Sequence, residues 1–134
     1  MPKASVLQFH NYQVEEIHFR KMPIVGGQHE FELNPNLELK MVEAGDDRYE
    51  IHLSIEIAST EEKPMPFELK VSLVGYFTFC DENHEVPERT KNAILRENTV
   101  SILFPFLRST VASVTTNANI PTLVLPVMNF ALDN

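Results

Sequence analysis

DRYEIHLSIEIAS, residues 47–59, decides the fold. Tyr49, Ile51, Leu53, Ile55 and Ile57 fall on one face of an extended chain, and Glu50, His52, Ser54 and Glu56 on the other. Successive side chains of an extended backbone point to opposite sides, so this alternation predicts a strand with one dry and one wet face. Immediately upstream, NLELKMVEA alternates in the same way through Leu37, Leu39 and Met41. Ala44, Gly45, Asp46 and Asp47 between the two runs are small or polar turn formers, so the pair predicts a β-hairpin.

Downstream, PFELKVSLVGYFTFC places Phe67, Leu69, Val71, Leu73, Phe77 and Phe79 on one face, interrupted by Gly75. Its other face opens polar with Glu68, Lys70 and Ser72 and turns apolar at Val74 and Tyr76. A strand that becomes apolar on both faces expects cover on both. The N-terminal run YQVEEIHFRKM reads as a strand with weaker alternation. Between it and the hairpin, PIVGGQHEFELNP is bounded by Pro23 and Pro35 and hinged at Gly26-Gly27. A loop of about a dozen residues is uncommon unless functional. This one carries Ile24, Val25, Phe31 and Leu33, more apolar groups than a connector needs.

After Cys80 the period changes. Pro87-Glu88-Arg89 suits a first helical turn, with a helix to near Asn98. A second run, TVSILFPFLRSTVASVTTN, lines up Val100, Leu103, Leu107, Val111 and Val114, widened by Ile102 and Phe106. Pro105 lies inside that stripe and predicts a helix start or a kink there. The tail NIPTLVLPVMNFALDN is apolar and non-periodic, and reads as a hydrophobic loop. Four strands followed by helices, without βαβ alternation, predict an α+β fold on an antiparallel sheet.

The composition narrows the function classes. The chain has 134 residues, a formal net charge of −8 and one cysteine. That length fits a single domain over residues 1–134 with one core. One cysteine builds neither an intrachain disulfide nor a multi-thiolate zinc site, which points to a reducing, cytoplasmic setting. The acidic balance disfavours nucleic acid and anionic membranes. No apolar run approaches a membrane span, and the first residues lack the apolar stretch of a signal peptide.

Catalytic patterns are weak. His10, His18, His29, His52 and His84 form no HExxH and no helical i, i+4 pair. Cys80 ends an apolar strand beside Asp81 and Glu82, a poor setting for a nucleophile. Gly26-Gly27 lacks a phosphate-loop context. Adjacent Glu15-Glu16 and Glu61-Glu62 read as solvated edges. No enzyme activity, cofactor or metal is predicted. Apolar surface is what the chain has in excess, in the helical stripe and the two loops.

ILFPFLRSTVASVTTNANIPTLVLPVMNF resembles the SecB family of protein-export chaperones. The family's Ile-Leu-Phe-Pro-aromatic-x-Arg run is matched by Ile102, Leu103, Phe104, Pro105, Phe106 and Arg108. Its Pro-x-Leu-x-Leu segment and following Asn-Phe are matched by Pro121, Leu123, Leu125, Asn129 and Phe130. Gly75, Tyr76 and Phe77 fit its last strand. The resemblance implies a four-stranded antiparallel sheet with a long crossover loop, then one long helix and an apolar connecting loop. It also implies a homotetramer, a dimer of dimers, with helices sandwiched between sheets. Leu69, Val71 and Leu73 would then lie near subunit contacts, with the stripe of Leu103, Leu107, Val111 and Val114.

By the same resemblance, the chain is an ATP-independent holdase that binds unfolded or precursor polypeptides in a hydrophobic groove and serves protein export. Ile24, Phe31, Leu33, Leu123, Leu125, Met128 and Phe130 are the candidate walls, since apolar and deformable side chains accept many clients. Relatives that dock the SecA motor use acidic residues on the sheet, where this sequence has Lys21, Val25 and Lys70. Lysines there would repel SecA's basic tail, which argues against SecA as a partner. The alternatives are a SecB-like chaperone of an antitoxin, or an oligomeric adaptor for one folded partner.

Overall fold

The computed structural model describes residues 6–23, 35–81 and 86–118. Its elements run β1 (Val6–Lys21), β2 (Asn36–Gly45), β3 (Arg48–Ile57), β4 (Phe67–Cys80) and α1 (Glu88–Asn117). The strands form one sheet in the order β1-β4-β3-β2, with every neighbouring pair antiparallel. The chain goes from one edge of the sheet to the other, returns by the hairpin, and fills the gap with β4. This is the α+β architecture the alternation predicts.

The hairpin turn shows how local chemistry sets register. Gly45, Asp46 and Asp47 have φ of 82°, 53° and 61°. Positive φ at both central residues matches the right-handed twist of the strands. Aspartate tolerates it because its short side chain bonds locally, and Gly45 has no Cβ to clash.

The inward side chains of β3 from Tyr49 to Ile57, and of β4 from Phe67 to Phe79, are all buried. Helix α1 covers them with Leu95, Val100, Leu103, Phe104, Leu107 and Val111. Gly75 is where the helix comes closest. A Cβ there would lie 2.6 Å from Leu103 Cδ2 and 2.8 Å from Phe77 Cε1. The glycine that breaks the apolar run of β4 is the seat for Leu103.

Two expectations are corrected. First, α1 is one helix from Glu88 to Asn117 that contains Pro105, so no helix starts there. An internal proline costs about 3 kcal/mol. Pro105 is exposed, while Leu103, Phe104 and Leu107 around it are buried at roughly 1.5–3 kcal/mol each, so packing wins. Second, β1 starts at Val6, earlier than its alternation suggests. Its register with β4 shifts between Phe9 and Asn11 and again between Val14 and Glu16. Each bulge adds a residue and flips the parity of the residues after it. Leu7 and Phe9, then Tyr12 and Val14, then Ile17 and Phe19 therefore share the helix side of the sheet.

A smaller cluster of Tyr49, Phe79 and Leu95 closes the end of the sheet near the start of α1. Lys91 lies over it, its Nζ 5.5 Å from the Tyr49 ring centre and 5.9 Å from that of Phe79. A hydrogen bond with Tyr49 raises the Lys91 pKa above 10.5, against a smaller desolvation effect. A raised ammonium pKa contributes stability below the unfolded value and loses it as pH rises through the folded one. Lys91→Met should therefore lower the melting temperature from pH 6 to 10, and the gap to wild type should close above pH 10.5. A gap that does not change with pH would show that the lysine acts through its aliphatic stem alone.

Candidate functional site

The helix is narrower than the sheet it covers. Beneath it β3 and β4 are dry, but the flanking strands are covered in part. On the β2 side, Leu37 and Leu39 are half-buried against the core, and Met41 is 37% exposed. On the β1 side, Tyr12 stacks on Phe106 at 4.3 Å and Phe19 on Phe67 at 5.7 Å. Between those stacks Val14 is 43% and Ile17 52% exposed. Two apolar rows thus flank the helix on the same face of the sheet.

The opposite face is mostly polar, with Val74 buried on it and Tyr76 half-buried. Glu15, the extra residue of the second β1 bulge, reaches across β4 to His52 on β3, with Oε1 2.8 Å from Nδ1. The other ring nitrogen of His52 is 3.3 Å from Glu50 Oε1. Lys70 pairs with Glu16 at 3.4 Å. His10 Nε2 lies 2.9 Å from Thr78 Oγ1, which donates to Gln8 Oε1 at 3.3 Å. These contacts tie β1 to its neighbours and satisfy their own members. Among the described residues, no group of three or more His, Cys, Asp and Glu is placed to hold a metal. Cys80 lines a depression with Asp47, Asp81, Glu88 and Lys91, and no histidine is among the described residues that line it. No helix among the described residues is long and apolar enough to cross a membrane.

Ile24, Phe31, Leu33, Leu123, Leu125, Met128 and Phe130, the candidate groove walls, lie outside the described residues, as do Val25, His29 and His84. Of the side chains read as subunit contacts, Leu69, Val71, Leu73, Leu103, Leu107 and Val111 are in this chain's own core, at most 1% exposed. Val114 packs half-buried against it. Their apolarity is satisfied within one chain. Val14 and Ile17, which the sequence pattern did not single out, are exposed instead. Lys21 is exposed at the end of β1, and Lys70 is on the polar face, held by Glu16.

Comparison with known proteins bears on this arrangement directly. The SecB family model, described as preprotein translocase subunit SecB, matches residues 7–132. The chain belongs to the SecB family. A SecB protein-export protein of Anaplasma phagocytophilum is 39% identical over 83 residues, which is 62% of this chain and 52% of that protein. The SecB of Psychrobacter arcticus is 27% identical over 99 residues, 74% of this chain and 64% of that protein. This chain therefore spans 52% and 64% of these two SecB proteins. An uncharacterised protein of Methanocaldococcus jannaschii is 29% identical over 97% of this chain and 83% of its own length.

Solved structures agree on the SecB-like fold. A SecB-like chaperone of Mycobacterium tuberculosis, in complex with a ChAD peptide from the HigA1 antitoxin, superposes with a TM-score of 0.67 at 13% identity. The superposition covers 91% of this chain and 90% of that one. A protein of unknown function from Streptococcus agalactiae gives 0.51 at 12% identity.

Proposed function

We propose that this SecB-family chain is an ATP-independent holdase that binds unfolded polypeptide on the apolar flank at β2 and assembles through the apolar flank at β1 as a dimer of dimers in the cytoplasm. The carrying observation is the incomplete cover of the sheet's helix side, which leaves Leu37, Leu39 and Met41 on one flank and Val14 and Ile17 on the other. Segment 24–33, which joins β1 to β2 in sequence, and segment 120–130, which follows α1, are the apolar stretches proposed to complete a groove. Exposed apolar surface of this kind favours binding over catalysis, and an adaptable wall suits many clients. The peptide held by the M. tuberculosis relative supports a polypeptide as the ligand.

Protein export is the task the curated names suggest. One feature favours a second task. The resemblance to SecA-docking relatives puts Lys21 and Lys70 where those proteins would offer carboxylates, and the Glu16 carboxylate beside Lys70 is already paired with it. A client such as an antitoxin needs no SecA docking, so we give that reading second place.

Aggregation of a refolding client, followed by light scattering, tests the proposal. The wild type should suppress it without ATP at near-stoichiometric ratios. Leu123→Asp combined with Phe130→Asp should weaken client binding at least tenfold while leaving the assembly mass unchanged. Unchanged binding would remove those residues from the groove, and no suppression by wild type would end the holdase reading. A pull-down yielding one folded protein in fixed ratio would favour a dedicated adaptor.

A further inference from the structure

We infer that Glu15, His52 and Glu50 form a proton-dependent latch that ties the second bulge of β1 across β4 to β3 and so holds the apolar β1 flank in shape. The latch stands on the geometry of one chain, and its effect on assembly rests on the subunit contact proposed above. Glu15 has no register partner on β4, because the pairing passes from Val14 opposite Leu73 directly to Glu16 opposite Ser72. That extra residue brings Val14 and Ile17, three positions apart, onto the same side of the sheet. The Glu15 side chain goes to the other face and reaches His52, where its Oε1 lies 2.8 Å from Nδ1. Glu50 Oε1 lies 3.3 Å from Nε2 of the same ring.

This arrangement suits one charge state of the ring. A neutral imidazole carries one N–H and one lone pair, and an ionised carboxylate only accepts. With the proton on Nδ1, the lone pair of Nε2 faces Glu50. With the proton on Nε2, the lone pair of Nδ1 faces Glu15. Only the imidazolium presents an N–H to each carboxylate. From β2, Lys40 is the register partner of His52, and Glu38 lines the same depression as His52 and Glu15. From β4, Val74 lies opposite His52, with Ser72 and Tyr76 to either side along that strand. Glu16, next to Glu15, is held by Lys70. Three carboxylates, Glu15, Glu50 and Glu38, thus stand around the ring against one other cation, Lys40.

A histidine changes charge between about pH 5 and 8. The latch is therefore closed at the acidic end of that range and opens as the pH rises through it. Below about pH 4 the carboxylates take up protons and release the ring as well. His52 and Glu15 are partly exposed, so opening changes local stability a few-fold and does not unfold the sheet. Its place gives it consequence, since the bulge it secures is the one that sets Val14 and Ile17 on the proposed subunit contact.

Residue-resolved amide hydrogen exchange, corrected for the intrinsic rate at each pH, tests this. In the wild type, protection from Val14 to Ile17 should fall about threefold between pH 6 and 8, while protection along α1 does not change. His52→Gln and Glu15→Gln should each abolish that pH dependence, because the glutamine amide does not titrate. His10→Gln and His18→Gln, on the same strand, should keep the wild-type profile. A flat wild-type profile, or one abolished by a change at His10 or His18 and not at His52, would overturn the latch. Sedimentation equilibrium over the same range reads assembly, and the subunit dissociation constant should rise about threefold in the wild type and stay constant in His52→Gln. Protection that falls while that constant does not move would overturn the effect on assembly and leave the latch standing. A wild type monomeric at every pH would end the assembly reading itself, with the protection profile still deciding the latch.

Discussion

Gly75→Val should cost about 3 kcal/mol of stability, near the upper end for overpacking a core. The reason is local. A Cβ at residue 75 already falls 2.6 Å from Leu103 Cδ2, and the two γ-methyls of valine extend further into the same space. Leu103 cannot simply move aside, because it is fully buried between the sheet and its own helix. The helix must lift from β4, and Leu107 and Val111 along the same stripe lose contact with the sheet. Leu103→Ala alone should cost about 2–5 kcal/mol through lost burial and a cavity. The two changes are expected to compensate in part, since alanine at 103 opens the space that valine at 75 needs. The double variant should be more stable than the sum of the single losses predicts, by at least about 1 kcal/mol. Urea unfolding at one fixed protein concentration measures this, with the slope checked for constancy. Strictly additive losses would show that Leu103 does not dock on Gly75.

The central strands are legible in the sequence and the edges less so, for a physical reason. On β3 and β4 each side chain has neighbours on both sides, so one parity separates core from solvent, except at Val74 of β4, which is buried on the other face. Tyr49 to Ile57 obey it without exception. On β1 two extra residues flip that parity twice, and a periodicity count averages over the flips. This is why its alternation looks weak, and why Val14 and Ile17 do not stand out although both share the helix side with Leu73 and Val71. Pro105 misleads in the opposite direction. Its backbone penalty is legible in sequence, whereas the packing that overrides it is tertiary.

The site divides along a similar line. An apolar stripe says that a surface is buried but not what buries it. Leu103, Leu107 and Val111 satisfy the pattern of an interface and of a core equally, and the structure places them in the core. The groove candidates from Ile24 to Leu33 and from Leu123 to Phe130 stand out because they are apolar without period. The same lack of period denies them a strand or helix parity that would tell which of them face a client.

The largest change in assembly should come from Val14→Asp combined with Ile17→Asp. In the proposed assembly the wild type runs in light scattering near four times the 15.3 kDa chain mass, and the double variant, with one of its subunit contacts broken, should run at no more than half the mass of the assembly. Both side chains belong to an edge strand, lie on the helix side of the sheet and are about half exposed, 43% and 52%. Within one chain they contribute little, so aspartate there should cost well under 1 kcal/mol of monomer stability, as exposed substitutions usually do. Against a second chain the effect is different. A carboxylate buried at an apolar contact is costly unless it is paired, and two per chain, repeated across a symmetric interface, place four charges in one patch. The neighbouring stacks of Tyr12 on Phe106 and Phe19 on Phe67 should persist, so near-ultraviolet circular dichroism should remain native-like while the mass falls. A wild type already monomeric at micromolar concentration would remove the oligomer from the proposal. An intact assembly carrying both aspartates would place the subunit contact elsewhere on the sheet or helix.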